Sequence, residues 1–286
     1  MSGFTLVELA IVLTIIGLLV GGILKGQELI LNSRVTATIG QVKAVQAAVT
    51  TFEDIYHAVP GDLSDGSSRI PNCPNCDACS GLHVPGGCGW DNVAWNVGDA
   101  DDGIVGRRHW NLQKSMAAGA LFTVDAPSIR SSNETLFFWA ELTQAQLIRG
   151  VTYDGSALPI NAAAFEYTHP SARIGGGFLV GYADGSTDQP LSTAPSHPLL
   201  RGNVLLLAPS PLVDLSTTAG RNLLTPHQAE QIDRKLDDGA PLTGAVQAYG
   251  HTANVSTQGC VNTNASPYPY NEAVSSKDCG LLFQLQ

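Results

Sequence analysis

Charged side chains are scarce in this sequence, and basic ones are the scarcer kind. Asp, Glu, Lys and Arg make up 14% of the 286 residues, with 15 Lys and Arg against 25 Asp and Glu. The formal net charge of −10 disfavours a role in coating nucleic acid, because phosphate binding needs a basic face. Hydrophobic residues make up 44%, which excludes a disordered chain and provides for a packed core.

The sequence also lacks the short motifs of common catalytic sites. It contains no G-x-S-x-G, no H-E-x-x-H and no glycine-rich phosphate loop, and its 7 histidines show no spacing that pairs them. A C-x-x-C-H haem attachment motif is missing as well. We therefore expect a protein that is not an enzyme and that carries no haem.

The N-terminal segment is apolar and contains no proline before Pro60. No charge occurs between Leu9 and Leu24, and the apolar stretch covers about 20 residues if it is extended back to Phe4, roughly what a helix needs to cross a bilayer. The basic region and the small-residue cleavage site of an ordinary secretory signal are missing. The segment therefore predicts a membrane-spanning helix that continues directly into the rest of the chain.

A second pattern follows Lys25, where apolar residues recur at intervals of three and four. They are Val35, Ile39, Val42, Val45, Val49, Phe52 and Tyr56. This spacing is one stripe on an α-helix, and we expect the polar residues between its members to face elsewhere, namely Arg34, Thr38, Gln41, Lys43 and Gln46. Together the two patterns predict one helix from Phe4 to about His57, roughly 80 Å long. Four glycines are its candidate points of local unwinding: Gly17, Gly21, Gly22 and Gly26.

One carboxylate, Glu8, lies inside the apolar run. A charge at membrane depth is costly, so it marks either a partner or a residue that reaches the interface at the helix start. The surrounding string from Gly3 to Leu24, GFTLVELAIVLTIIGLLVGGIL, is very similar to the class III leader junction and transmembrane start of type IV pilins and type II secretion pseudopilins. The similarity covers about the first tenth of the chain.

The resemblance implies a defined course of processing and assembly. A prepilin peptidase would cut after Gly3, the new terminus Phe4 would be N-methylated, and Glu8 would pair with a mature N-terminal amine during assembly. The implied partners are other copies of the chain in a filament, the peptidase, an inner-membrane assembly platform and, as candidates, minor pilins. The subunit would lie in the inner membrane before it joins an extracellular filament for adhesion, motility or surface attachment. The alternative is a periplasmic pseudopilin of a type II secretion system.

The remaining residues predict a secreted α+β head packed on the long helix. With residues 1–3 as leader and 4–57 as helix, the head covers 58–286 and opens with a cysteine-rich loop over 60–110. A capping box, Ser131 with Glu134, starts a second helix, whose inner stripe is Phe138, Leu142, Ala145 and Ile148, with Gly150 as its stop.

A third helix and a small antiparallel sheet complete the predicted head. The helix runs from Thr225-Pro226-His227-Gln228 to about Leu236. Short apolar segments bounded by Gly, Pro or Asn predict strands at Gly177 to Tyr182, Asn203 to Ala208 and Gly280 to Leu285.

Six cysteines favour an oxidising compartment, in which disulfides persist. We expect Cys260 to pair with Cys279 near the end of the sequence. The other four would pair among themselves in one of three connectivities: Cys73, Cys76, Cys79 and Cys88. A zinc site that uses these thiols and His83 is the alternative, which would suit a cytosolic protein better.

An acidic segment inside the cysteine-rich loop resembles the start of a calcium loop. Asp99, Asp101 and Asp102 are therefore candidate calcium ligands. The following Gly103 comes one place too early for an EF-hand, and the glutamate of position 12 is missing. Solvated turn residues are the other interpretation, and no other cofactor is expected.

Overall fold

The structure is a computed structural model that describes residues 5–63, 66–71, 73, 103–105, 134–152, 164–184, 200–210, 222–250, 259–262, 265 and 267–285. Helix α1, Leu6–Tyr56, dominates it and confirms the single long N-terminal helix. Thr5 caps the start of α1 through a capping box with Glu8, and His57 ends it in the left-handed conformation, φ 54°. The helix passes through all four of its N-terminal glycines without interruption.

The second half of α1 docks on the head through the predicted stripe. The buried residues of α1 are Val35, Thr38, Ile39, Val42, Val45, Ala48, Val49, Phe52 and Tyr56. They include every apolar residue of the predicted stripe, and Val42 and Phe52 are 0% exposed. The spacing of the apolar residues therefore identified the face that α1 buries.

Three polar residues that we expected to face elsewhere contact the head instead. Thr38 Oγ1 accepts a hydrogen bond from Ile174 N at 3.1 Å. Gln41 accepts one from Arg173 N at 2.8 Å and donates one to Ser171 O at 2.9 Å, and Gln46 donates one to Gln284 O at 2.9 Å. The expectation was wrong because Thr38 lies three residues after Val35 and four before Val42, at the centre of the stripe.

A four-stranded antiparallel sheet lies against α1. Its strands are β1 (Gly177–Asp184), β2 (Arg201–Ala208), β3 (Val246–Gly250) and β4 (Cys279–Gln284), in the order β1-β2-β4-β3. The sequence predicted β1, β2 and β4 to within two residues at each end, and it missed β3.

Three shorter helices complete the described elements: α2 (Gly66–Arg69), α3 (Glu134–Gln144) and α4 (Pro226–Leu236). Helix α4 has the predicted capping box of Thr225 and Gln228. Helix α3 ends before the predicted stripe does, because Gln146 has a φ of 62° and Leu147 N bonds back to Leu142 O. Ser131, the predicted cap of α3, lies outside the described residues.

The sheet is buried on both faces, so its strands carry apolar residues at successive positions rather than at alternate ones. On β2, Leu205 and Leu207 belong to the core shared with α1, whereas Val204 and Leu206 belong to a second cluster on the other face. A long N-terminal apolar helix, further helices and a small antiparallel sheet define an α+β protein.

Candidate assembly surface on the N-terminal helix

The first half of α1, residues 6–31, presents apolar side chains to its surroundings on every side. We call it the apolar half. Leu18 is 78% exposed, and Ile16, on the opposite side of the helix, is 51% exposed. In the part of the chain that the structure describes, the large hydrophobic side chains exposed outside the apolar half are Ile55 and Tyr167. So large an exposed apolar surface needs a lipid or protein partner.

Helix α1 is the one described helix that is long and apolar enough to cross a membrane. No residue of its most apolar window is buried inside the subunit. A core helix of a water-soluble protein can be equally apolar, but its apolar face is covered by the rest of the fold. Exposure together with length is what a membrane-spanning helix requires.

Glu8 lies near the start of the apolar half, and its carboxylate contacts Thr5. The Glu8 Oε2 atom accepts hydrogen bonds from Thr5 N at 2.9 Å and from Thr5 Oγ1 at 2.8 Å. In return, Glu8 N donates to Thr5 Oγ1 at 3.3 Å. This capping box holds the carboxylate over the first turn of α1. Gly3 and Phe4, the predicted cleavage and methylation positions, lie outside the described residues.

The structure contains the expected disulfide between Cys260 and Cys279. The bond ties the start of β4 to the segment 259–262, and the backbone of Cys279 exchanges two hydrogen bonds with Leu224 just before α4. Cys73 is also disulfide-bonded. Cys76, Cys79, Cys88 and His83 lie outside the described residues, so the connectivity of the cysteine-rich loop stays a prediction.

The candidate calcium ligands Asp99, Asp101 and Asp102 lie outside the described residues too, but the residues that follow them are anchored. Gly103 N donates to the buried Asp62 carboxylate at 2.7 Å. Asn203 on β2 donates to Gly103 O at 2.9 Å and accepts from Val105 N at 2.9 Å. These contacts bring the loop after α1, the segment 103–105 and the sheet together.

A cluster of three carboxylates that the sequence analysis did not select lies where α4 ends. Ligand oxygens of Asp233, Asp237 and Asp238 lie within 4.8 Å of one another. Burial raises the pKa of Asp233 from its ordinary value of 3.8 to about 7, although hydrogen bonds from Tyr270 Oη and Gly239 N act in the opposite direction. The spacing D-x-x-x-D-D-G was the available sequence signal.

Local contacts account for the carboxylates of this cluster without an ion. Asp237 Oδ2 accepts from the backbone of Ala245 and Val246, and the two oxygens of Asp238 accept from Ala240 N and Thr243 Oγ1. The cluster therefore organises the turn between α4 and β3.

A second group that could hold a metal ion lies on the opposite end of α4. It combines His227, Glu230 and Glu272, again within 4.8 Å of one another. Glu230 forms an ion pair with Arg234, and His227 Nδ1 lies 2.9 Å from the Glu272 carboxylate. The His227–Glu272 contact joins α4 to the segment that precedes β4, whereas the Glu230–Arg234 pair lies within α4.

Comparison of the chain with protein-family models, with curated proteins and with solved structures finds no match in any of the three. Among the described residues, the apolar half of α1 carries all the large exposed hydrophobic side chains except Ile55 and Tyr167, and it also carries Glu8.

Proposed function

We propose that this chain is a structural subunit of a type IV pilus-like extracellular filament, assembled through the apolar half of α1 with the head on the outside. The observation that carries the proposal is the division of one continuous helix into an exposed apolar half and a docked half, residues 32–56. A plain membrane anchor needs no docking stripe on the same helix. A filament subunit needs both halves, because the helix must leave the membrane together with its head.

Glu8 supplies the charge that sets the register of assembly in this proposal. Cleavage after Gly3 by a prepilin peptidase creates a new ammonium group at Phe4, which is then N-methylated. An uncompensated carboxylate at membrane depth costs about 2.5 to 3.5 kcal/mol on insertion scales. The Glu8 carboxylate of an incoming subunit is therefore drawn to the terminal amine of its neighbour, an attraction that is screened far less in an apolar core than in water.

The remaining partners follow from this course of assembly. Subunits wait in the inner membrane, held by the apolar half, until an assembly platform adds them to the base of the filament. Minor pilins are candidate neighbours in the same filament. The exposed heads then provide the surface for adhesion, motility or attachment.

The test is the variant Glu8→Gln, which separates the charge from the helix cap. Glutamine at this position keeps the capping box with Thr5, because a Gln side chain accepts the same hydrogen bonds. We expect normal folding and membrane insertion. The yield of filaments sheared from cells should fall at least about tenfold, since 1.4 kcal/mol already changes an equilibrium constant by that factor. Glu28→Gln is the matched control, because Glu28 is exposed and pairs only with Lys25 among the contacts described.

Normal filaments from Glu8→Gln cells at normal subunit levels would show that Glu8 acts only as a helix cap. The variant Gly3→Ala, which is designed to block the peptidase, should accumulate an unprocessed membrane form with the same assembly defect. The location of wild-type filaments distinguishes the two members of this class of protein. A pilus is recovered in the sheared extracellular fraction, whereas a pseudopilus remains in the periplasm.

A further inference from the structure

The docked half of α1 also has a face that the head does not cover, which we call the back face. Its residues recur at intervals of four and three, and all of them are exposed: Thr36, Gly40, Lys43, Ala47, Thr50 and Asp54. At 100° per residue this set lies on the side of α1 opposite the buried stripe. Four of the six side chains are small and uncharged, so another chain can approach the back face closely.

Lys43 and Asp54 are the two charges on the back face, and neither has a hydrogen bond or an ion pair with the other described residues. They differ in this from Lys25 and Glu28, which pair with each other at 2.6 Å on the same helix. Arg34, a further charge of α1, lies nine residues before Lys43 and therefore on the other side of the helix. Lys43 and Asp54 are thus a cation and an anion on one face, and neither has a partner among the described residues.

Their spacing prevents them from pairing within one subunit but suits pairing between two. Eleven residues are about three helical turns, so the two side chains point the same way and are ~16 Å apart along the axis. A second, parallel copy displaced by the same distance brings its Asp54 level with Lys43 of the first. Such a contact uses two different positions on each copy, so it leaves one of each free and can propagate without limit.

We propose that the back faces of two subunits meet in the filament with an axial displacement of ~16 Å, at which Lys43 of one subunit pairs with Asp54 of the other. This neighbour differs from the one whose terminal amine pairs with Glu8, because Phe4 and Glu8 are four residues apart and their pairing corresponds to a displacement of ~6 Å. This inference rests on the proposed function. With the heads outside, the back face of every subunit turns towards the filament axis. Charges enclosed there need partners of opposite sign, because an unpaired charge is strongly unfavourable once water is excluded.

Cysteine cross-linking tests the displacement directly. The chain Lys43→Cys/Asp54→Cys, oxidised within intact filaments, should give a ladder of covalent multimers, because each subunit can bond to a neighbour on both sides. Either single variant should give no ladder. Lys43→Cys/Thr50→Cys is the matched control, since Thr50 lies on the same face but corresponds to a displacement of only ~10 Å. A ladder from this control and none from the first chain would overturn the proposed register.

Charge reversal tests the pairing. Lys43→Asp and Asp54→Lys should each lower the yield of sheared filaments about tenfold, as the burial of like charges predicts. The double variant Lys43→Asp/Asp54→Lys should recover most of that loss. Both positions are exposed, so the membrane-inserted, disulfide-bonded subunit should accumulate normally in all three strains.

The outcomes separate this inference from the function on which it rests. If the wild-type chain forms filaments and both single reversals form them at the same yield, the filament proposal stands and the Lys43–Asp54 contact is refuted. The same holds if the double reversal is as defective as the single ones. No filament from the wild-type chain in any cell fraction would overturn both.

Discussion

The two halves of α1 are both rich in apolar residues, yet they differ completely in burial. Leu18 in the apolar half is 78% exposed, whereas Val42 and Phe52 in the docked half are 0% exposed. The docked half has one apolar face because the head covers one side, whereas residues 9–24 of the apolar half carry no charge on any side, as apolar surroundings require. The distribution of apolar residues along the helix thus distinguishes the two halves: the docked half packs on the head of the same subunit, and the apolar half requires an apolar partner outside it.

Truncation of one large side chain in each half of α1 is the most direct test of this difference in burial. Phe52→Ala should lower the free energy of unfolding of the head by about 3–5 kcal/mol, because it leaves a cavity in a closed core. Leu18→Ala should leave the unfolding of the head unchanged. Urea titration of the full chain in detergent micelles, followed by tryptophan fluorescence, measures both. Equal losses at the two sites would mean that the apolar half packs against the head.

Of the two halves of α1, only the docked half should respond to removal of the Cys260–Cys279 disulfide. Cys260→Ser/Cys279→Ser opens a loop with a sequence separation of 19 residues, which the chain-entropy model values at about 3 kcal/mol. The bond holds β4, and Gln46 of α1 donates to Gln284 O at the end of that strand. We expect faster hydrogen exchange in the docked half of α1, while the apolar half in micelles keeps its wild-type exchange rate. Unchanged exchange in the docked half would indicate that α1 docks independently of β4.

On the buried side of the docked half, the Thr38 hydroxyl bonds to the head, whereas on the exposed side the Thr36 hydroxyl bonds within the helix. Thr38→Val keeps the shape of the side chain but removes the acceptor for Ile174 N, which should cost about 1–2 kcal/mol. Thr36→Val is the matched control, because the exposed Thr36 hydroxyl bonds only to the carbonyl four residues earlier among the contacts described. We expect no measurable change in the control. A loss of the same size in both variants would indicate a general effect of valine on the helix.

The last effect that we predict concerns pH, and it should be confined to the head. Burial raises the pKa of Asp233 from its ordinary value of 3.8 to about 7 in the folded chain. Between these values the unfolded chain binds fewer protons, so the free energy of unfolding should fall as pH rises from about 4 to about 7.

Asp233→Asn should abolish that part of the pH dependence, because the amide group does not titrate and can still bond to Tyr270 Oη and Gly239 N. Titration of wild type and variant from pH 4 to 8, with and without a chelator, is the measurement. A slope that persists in the variant would assign the effect to other groups, and a slope that depends on the chelator would indicate bound metal at Asp233, Asp237 and Asp238.

The elements that the sequence predicted are those with strong local signals. A stripe of seven apolar residues specifies the docked half of α1, and a capping box specifies the start of α4. The Cys260–Cys279 bond was also accessible from sequence, because only these two cysteines lie outside the cysteine-rich loop. The stripe and the capping box are local patterns that span a few helical turns at most. The disulfide could be predicted because few cysteine pairs were possible.

Features that depend on distant partners were missed. Val246, Gln247, Ala248 and Tyr249 are all buried, so β3 shows no alternation, and its pairing partner β4 comes almost 30 residues later. The carboxylate cluster around Asp233 depends on Tyr270, which lies on a different segment. Distance along the chain, rather than weak propensity, limited what the sequence could predict.

The order of strands has a consequence for the timing of folding. β1 and β2 can pair as soon as both have been synthesised, whereas β3 pairs only with β4 among the described strands. β4 lies between β2 and β3 although it is made after both, so the sheet stays in two pieces until β4 arrives. A chain that ended before Cys279 would therefore leave β3 unpaired and the edge of β2 uncovered, and such an unfinished sheet is open to proteolysis.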